Sequence, residues 1–348
     1  MRAIIHIGTG KTGTTSIQRL LCANHALLRA QDCLYPALGH GRRLENHNPL
    51  TMHLAFGVPM DPLPQLRQEL TASGCGRLLL SSEFMSEHLH TPELIRRLQH
   101  LLQQLGCRHF SIVVYLREPG ALFASLCSQW VRGGRLECRH LLPPQQNPRF
   151  CAILDCRGIV RRWLEVFGRE ALTVRLFEPR SFAGGDLLHD AISAFGLKWD
   201  ERFVTPPRVN EGLNLLEMQL LRVINHLQGG HAGTPGTPKG RLFEVLHRHA
   251  GALDGPQLRF VPPQHIVQAW REWAAEGNEW VCREFFPGRP TLFAPPRQQE
   301  DNYELEHMTP GCWEALGRIM AELSDENVRL RRQLQSRAGA GASDRMRP

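Results

Sequence analysis

No apolar run in this 348-residue chain approaches the roughly 18 residues that a membrane-spanning helix needs. Blocks of five or more basic residues are also missing, and only 3 tyrosines are present, so the stacking aromatics of a nucleic-acid surface are scarce. We therefore expect no transmembrane segment and no nucleic-acid partner, while peripheral membrane contact stays open. The first residues show no apolar signal core, so we expect a cytoplasmic protein.

Metal-binding and disulfide patterns are missing as well. The 10 cysteines form no CxxC pair, and no Cys/His group has the spacing of zinc ligands. We therefore expect reduced thiols and no metal.

The net charge of +7 suggests an anionic ligand. The apolar fraction of 42% and the charged fraction of 22% are near globular averages, so the chain is expected to fold.

Four short apolar or β-branched runs predict β-strands, at residues 3–7, 77–82, 111–116 and 172–177. Longer stretches of helical period lie between them. Strands that alternate with helices predict an α/β fold of three α/β/α layers around a central parallel sheet. Such sheets bind ligands at the carboxyl ends of their strands, so chemistry is expected just after Ile7, Ser82 and Leu116.

The C-terminal part of the chain has a different pattern. From about residue 206 onward the pattern is mainly helical, which predicts a helical elaboration of the same domain. We expect this domain to cover residues 1–295. Residues 296–348 are expected to hold a last helix near 311–335 and a disordered tail of small and polar residues.

The segment "GTGKTGTT" after the first predicted strand has the composition of a phosphate-binding loop. An ATP-binding loop, G-x-x-x-x-G-K-[ST], needs a lysine directly after its second glycine, whereas Thr14 follows Gly13 here. A glycine-rich turn into a helix N-terminus is still an anion site, to which Lys11 adds positive charge and Thr12, Thr14 and Thr15 add hydroxyl donors. The segment therefore predicts phosphate binding without the ATP-type lysine.

"KTGTT" closely resembles the 5′-phosphosulfate loop of sulfotransferases that use 3′-phosphoadenylyl sulfate (PAPS). That family has a second signature, an arginine at a later strand end and a serine eight residues on, which bind the 3′-phosphate. Arg117 and Ser125 match its spacing, order and context, and looser similarity to bacterial members covers roughly residues 1–292. The resemblance implies a P-loop NTPase-like fold, PAPS as co-substrate without metal, and cofactor contacts from Lys11, Thr12, Gly13, Thr14, Thr15, Arg117 and Ser125.

Catalytic roles follow from the same resemblance. Lys11 is expected to donate to the bridging oxygen as charge develops on the leaving phosphate. Family members carry a histidine or a glutamate as base, and Glu83 occupies the place at the end of the second predicted strand that holds the histidine in cytosolic-type enzymes. A carboxylate is a workable base near neutrality when partial burial raises its pKa. His47 and His53, in the variable stretch after the first helix, are the alternatives for this base.

A third segment, "TPKGRLF", is similar to a basic loop that covers the 3′-phosphate in some family members. It adds Lys239, Gly240 and Arg241 to the expected cofactor contacts. We thus expect a PAPS-dependent sulfotransferase acting on a hydroxyl or amine of a carbohydrate, lipid or small metabolite. Two alternatives stay open: a P-loop-like nucleotide-dependent kinase, and a catalytically silent module that binds nucleotide or nucleic acid.

Overall fold

The computed structural model describes residues 1–38, 45–134, 141–207, 212–227, 237–253, 255–295, 300–304 and 307–344, with side chains except at 238, 239, 256 and 334–344. The chain divides into two compact units. The first comprises Met1–Phe123, Pro143–Asn210 and Val267–Arg297, and the second comprises Ala124–Leu142, Glu211–Ile266 and Gln298–Pro348.

Five parallel strands form the sheet of the first unit. They are β1 (Arg2–His6), β2 (Cys33–Leu34), β3 (Arg77–Ser81), β4 (His109–Leu116) and β5 (Leu172–Leu176). Their order across the sheet is β2-β3-β1-β4-β5, and every neighbouring pair is parallel. The four predicted strands are confirmed. The sequence did not predict β2, because two residues are too few to show alternation.

The helices cover most of the remaining described chain. They are α1 (Thr14–Ala23), α2 (His25–Ala30), α3 (Asn48–Phe56), α4 (Pro62–Ser73), α5 (Phe84–His88), α6 (Pro92–Gln104), α7 (Pro119–Arg132), α8 (Pro148–Leu154), α9 (Cys156–Phe167), α10 (Leu187–Ala194), α11 (Leu215–Leu227), α12 (Pro238–His249), α13 (Gln264–Phe285) and α14 (Pro310–Asp344). None of the described helices is long and apolar enough to cross a membrane.

Alternate strand residues enter two apolar cores on opposite faces of the sheet. Ile5 and Leu80 belong to one core, together with buried residues of α6 and α9. Ile4 and Leu79 belong to the other, together with buried residues of α1 and α10. Helices therefore cover both faces, and the predicted three-layer α/β/α arrangement is confirmed.

The connections after β1 and β3 run to opposite faces of the sheet. The helix that follows β1 is α1, which packs in the second core, whereas α6, after β3, packs in the first. Adjacent parallel strands whose connections diverge in this way leave a crevice at their carboxyl ends, where ligands bind in open α/β sheets. Of the three segments with predicted chemistry, the two after β1 and β3 start at this crevice.

The second unit is helical in its described part. Residues of α11, α12 and α14 form its apolar core, including Leu216, Leu246 and Cys312. The mainly helical pattern expected from about residue 206 onward is confirmed, and α11 is the first described helix of that region. Two boundaries differ from expectation: α12 already begins at Pro238, within a predicted loop, and α14 continues to Asp344, through most of the predicted tail.

Candidate active site

The loop after β1 turns through three residues with left-handed backbone. Gly8, Lys11 and Gly13 have φ angles of 92°, 63° and 76°. A side chain on Gly13 would collide with Leu187 of α10, and a Cβ on Gly8 would lie 2.9 Å from the Cα of Glu83. Glycine at these two positions therefore supplies both the backbone conformation and the space that the loop needs.

Hydrogen bonds tie this loop to β4. The backbone N–H and the hydroxyl of Thr9 each donate to the carbonyl oxygen of Tyr115 at 3.0 Å, and the N–H of Tyr115 donates to the Gly8 carbonyl at 2.7 Å. The buried hydroxyl of Thr12 donates to the Thr9 carbonyl at 2.6 Å. The Thr12 hydroxyl therefore stabilises the loop itself, and the predicted contact of Thr12 with a phosphate stays a prediction.

The N-terminus of α1 has the features of an anion site. Its N-cap is Gly13, which makes no side-chain cap, and the first turn contains no acidic residue. The first N–H groups of a helix have no intrahelical acceptor, and within the described ranges those of Thr14, Thr15 and Ser16 find no acceptor elsewhere. In contrast, the carboxylate of Glu118 accepts from two N–H groups in the first turn of α7. An anion would therefore be favoured at α1.

Arg117, at the end of β4, reaches this loop directly. Its Nη1 donates to the carbonyl oxygen of Lys11 at 2.7 Å, and its guanidinium lies 5.3 Å from the ring centroid of Phe177. Burial lowers the pKa of Arg117, which nevertheless stays cationic because arginine titrates far above neutrality. The structure thus brings Arg117 and Lys11 together. Ser125 lies on α7, half-buried, in the second unit, and its predicted role stays a prediction.

Glu83 follows β3, and two amide side chains hold its carboxylate. Gln18 of α1 donates to Oε2 at 2.9 Å, and Asn48 of α3 donates to Oε1 at 3.0 Å. The buried hydroxyl of Ser82 donates to the Asn48 Oδ1 at 2.6 Å, which turns the Asn48 amide nitrogen toward Glu83. The position of this carboxylate is therefore fixed from two helices.

A buried polar layer lies beneath Glu83. Gln18 also donates to the Ser81 hydroxyl at 3.3 Å, and that hydroxyl lies 2.8 Å from Nδ1 of His6 in β1. Burial lowers the pKa of His6 to about 3, so its imidazole is neutral at pH 7. This layer links the ends of β1 and β3 without placing a charge beneath the carboxylate.

The two alternative bases have backbone partners. His47 is buried, its Nδ1 accepts from the Ser81 N–H at 2.9 Å, and its Nε2 donates to the Pro36 carbonyl at 3.0 Å. Burial lowers its pKa to about 4. Both ring nitrogens of His47 are therefore occupied by the backbone. His53 donates from Nδ1 to the Val58 carbonyl at 2.8 Å.

Glu87 is a further acidic residue at this loop that the sequence did not single out. A Cβ on Gly10 would lie 3.0 Å from its Oε1, so the carboxyl group lies against the loop. The pKa of Glu87 is raised to about 7, first by burial and then by the charge of Glu83, while Arg149 opposes the rise. The sequence feature that could have pointed to Glu87 is its position four residues after Glu83, because residues four apart in a helix lie on the same face.

The predicted basic loop is the first turn of a helix. Thr237 caps α12 by accepting from the Gly240 N–H at 3.1 Å. Arg241 donates to Glu322 at 3.1 Å and to Glu326 at 2.9 Å, both on α14. The side chain of Lys239 lies outside the described residues. The Arg241 guanidinium is thus engaged by carboxylates, and phosphate binding by this segment stays a prediction.

No family model and no curated protein sequence matches the chain. Among solved structures it is similar to a sulfotransferase from Alicyclobacillus acidocaldarius, at 19% identity and a TM-score of 0.41, over 64% of this chain and 91% of the other. It is also similar to the sulfotransferase domain of the Synechococcus PCC 7002 olefin synthase, at 11% identity and a TM-score of 0.32, over 79% and 94%. At these identities and TM-scores we base the functional proposal on the chain's own residues.

Proposed function

We propose that this chain is a sulfotransferase that moves the sulfuryl group of PAPS to a hydroxyl or amine of a carbohydrate, lipid or small metabolite and releases 3′,5′-ADP. The observation that carries the proposal is the meeting of two loops at the crevice between β1 and β3. One loop brings Lys11 and the open N-terminus of α1. The other brings Glu83, held by Gln18 and Asn48.

The residues of the first loop fit a ligand with a 5′-phosphosulfate. The N–H groups at the start of α1 and the hydroxyls of Thr14 and Thr15 would bind the phosphate, and Lys11 would lie beside the oxygen that bridges phosphate and sulfate. Arg117 adds a second cation that contacts the same loop. We assign the 3′-phosphate to Arg117 and Ser125, following the family resemblance. The same resemblance adds a second set of proposed contacts with the 3′-phosphate, from Lys239, Gly240 and Arg241.

Sulfuryl transfer depends mainly on positioning and on electrostatic stabilisation of the charge that develops on the leaving oxygen. In the proposed reaction, Glu83 takes the proton of the acceptor hydroxyl while the acceptor oxygen forms a bond to sulfur. Lys11 stabilises the phosphate oxygen that departs as its bond to sulfur breaks. The proton and the leaving group are both accounted for, and no further reactant is needed.

Ligand binding separates this proposal from the nucleotide-kinase alternative. We expect 3′,5′-ADP to raise the melting temperature of the protein, because it carries both phosphates that the site would bind. ATP with Mg²⁺ lacks the 3′-phosphate, and the chain lacks the lysine that follows Gly13 in ATP-binding loops. Stabilisation by ATP with Mg²⁺ alone would overturn the proposal.

Transfer itself is tested with radiolabelled PAPS and panels of glycans, lipids and hydroxylated metabolites. We expect label to reach at least one acceptor and 3′,5′-ADP to form in the same amount. A protein that binds 3′,5′-ADP but transfers nothing across these panels would instead support the silent binding module.

A further inference from the structure

The long helix α14 carries two apolar stripes, of which one is buried in the second unit and the other is largely exposed. Cys312, Ala315 and Ile319 are buried in the core of that unit. On a neighbouring face, Trp313 is 63% exposed and Met320 is 72% exposed. Large apolar side chains are normally covered in a folded protein, so this second stripe requires an explanation.

The second stripe follows a heptad repeat. Its residues occupy a and d positions alternately, beginning with an a position: Trp313, Leu316, Met320, Leu323, Asn327, Leu330 and Leu334. Leu316 and Leu323 also touch the core of the unit, whereas Asn327 and Leu330 are exposed. The spacing is sustained over three heptads, which is the pattern of a helix that pairs with another helix in a coiled coil.

Two features of the repeat select the partner. Asn327 is the one polar residue of the stripe, and an asparagine at a fixes register and two-stranded pairing when it faces the same residue of an identical helix. Glu326 at g and Arg331 at e lie five residues apart, which is the spacing of a charge pair between parallel strands. Glu326 also accepts from Arg241 of its own chain, and a carboxylate has lone pairs for both donors.

We propose that this stripe of α14 pairs with the same stripe of a second copy of this chain, forming a parallel two-stranded coiled coil. The stripe is self-complementary, since each a or d residue meets its own counterpart across a twofold axis. This pairing is independent of the proposed catalytic function, because the seam is formed only by residues of α14.

The mass of the full-length protein in solution gives the first test. Sedimentation equilibrium at micromolar concentration is expected to give twice the chain mass of 39.5 kDa. Leu330→Glu places a charge in the seam and is expected to give the mass of one chain. Val328→Glu is the matched control, because Val328 is 46% exposed, close to the 48% of Leu330, but lies outside the seam. A wild-type monomer, or a dimer that survives Leu330→Glu, would overturn the proposal.

Cross-linking tests the parallel register. In a parallel coil the two a positions at 327 face each other, so the Asn327→Cys variant is expected to form a covalent dimer under mild oxidation. The wild-type protein, with its 10 cysteines, is the control and should stay uncross-linked under the same conditions. A dimer that is broken by Leu330→Glu but is never cross-linked through position 327 would contradict the parallel arrangement.

Discussion

Arg117 and Lys11 lie 106 positions apart in the chain and are joined by a 2.7 Å hydrogen bond from the guanidinium Nη1 to the backbone carbonyl oxygen. This bond fixes the loop after β1 against the end of β4. Lys11 also has a left-handed φ of 63°, which a residue with a side chain adopts at some cost unless its surroundings hold it. Arg117 therefore contributes to the shape of the loop as well as to its positive charge.

Replacing Lys11 by methionine removes the ammonium group but keeps the length of the side chain and the cost of the left-handed backbone. We expect the rate of sulfuryl transfer to fall about 10²- to 10³-fold, as for the loss of one donor that stabilises a developing anion. Binding of 3′,5′-ADP should weaken much less, because the leaving oxygen gains its full charge only during transfer. Transfer kinetics and calorimetric titration measure the two effects. A Lys11→Met protein with the wild-type rate would exclude Lys11 from catalysis.

Glu83→Gln tests the assignment of the base. The change keeps the shape of the side chain but removes the proton acceptor, so transfer is expected to fall about 10²- to 10⁴-fold. Binding of 3′,5′-ADP should persist, and titration with this ligand checks it. The matched control is His53→Ala, which we expect to keep the wild-type rate. The reverse result, with Glu83→Gln active and His53→Ala inactive, would assign the base to His53.

The fold was largely predictable because its signals are local. Apolar runs of five or six residues predicted the strands around Ile4, Leu79, Val113 and Val174, and all four are paired in the sheet. The helical stretch after β1 is interrupted, since Asn24 separates α1 from α2 and its side-chain amide donates to the backbone carbonyls of Leu20 and Val204. The second of these contacts is 180 positions away, so no local pattern predicts it.

Residues of the candidate site could be proposed from the sequence only where the residue type itself suggests a chemical role. Lys11, Arg117 and Glu83 lie in the segments that follow strands, and this position together with the family resemblance suggested a role for each. The partners of Glu83, Gln18 and Asn48, are ordinary amides on helices, and their function depends on which elements the fold brings together. Glu87 is similar, because its raised pKa is caused mainly by burial, which one sequence does not reveal.

We expect Gly13→Ala to lower the unfolding free energy by more than the left-handed backbone at this position accounts for. Gly57 provides the matched control, since its φ of 69° is close to the 76° of Gly13 and a Cβ there would meet nothing within 4 Å. We expect Gly57→Ala to cost about 1 to 2 kcal/mol of unfolding free energy from the left-handed backbone. Gly13→Ala should cost about 1 to 3 kcal/mol more, because its Cβ collides with Leu187. Urea denaturation measures both, and equal costs would contradict the tight packing at Gly13.

The raised pKa of Glu87 predicts how stability depends on pH. The pKa is about 7 in the folded protein, against an ordinary value of 4.5. Between these values the folded state binds more protons than the unfolded state, so this group makes stability fall as pH rises. Glu87→Gln is permanently neutral and removes that contribution. The unfolding free energy of the variant relative to the wild type should therefore rise between pH 5 and 8, by at most roughly 3 kcal/mol for a pKa shift of this size.

Urea denaturation of both proteins at pH 5 and pH 8 isolates this effect, because buried His6 and His47 titrate equally in both and cancel in the difference. Glu83 and Arg149 face Glu87 with opposite charges, and Arg149 reduces the expected gain. Glu93→Gln is the control, since the pKa of Glu93 is lowered, first by a hydrogen bond with its own backbone and then by Thr91. The unfolding free energy of that variant relative to the wild type should fall as pH rises through the acidic range and should change little from pH 5 to 8. If the unfolding free energy of Glu87→Gln relative to the wild type is no higher at pH 8 than at pH 5, the Glu87 carboxyl group is not buried against the loop at Gly10.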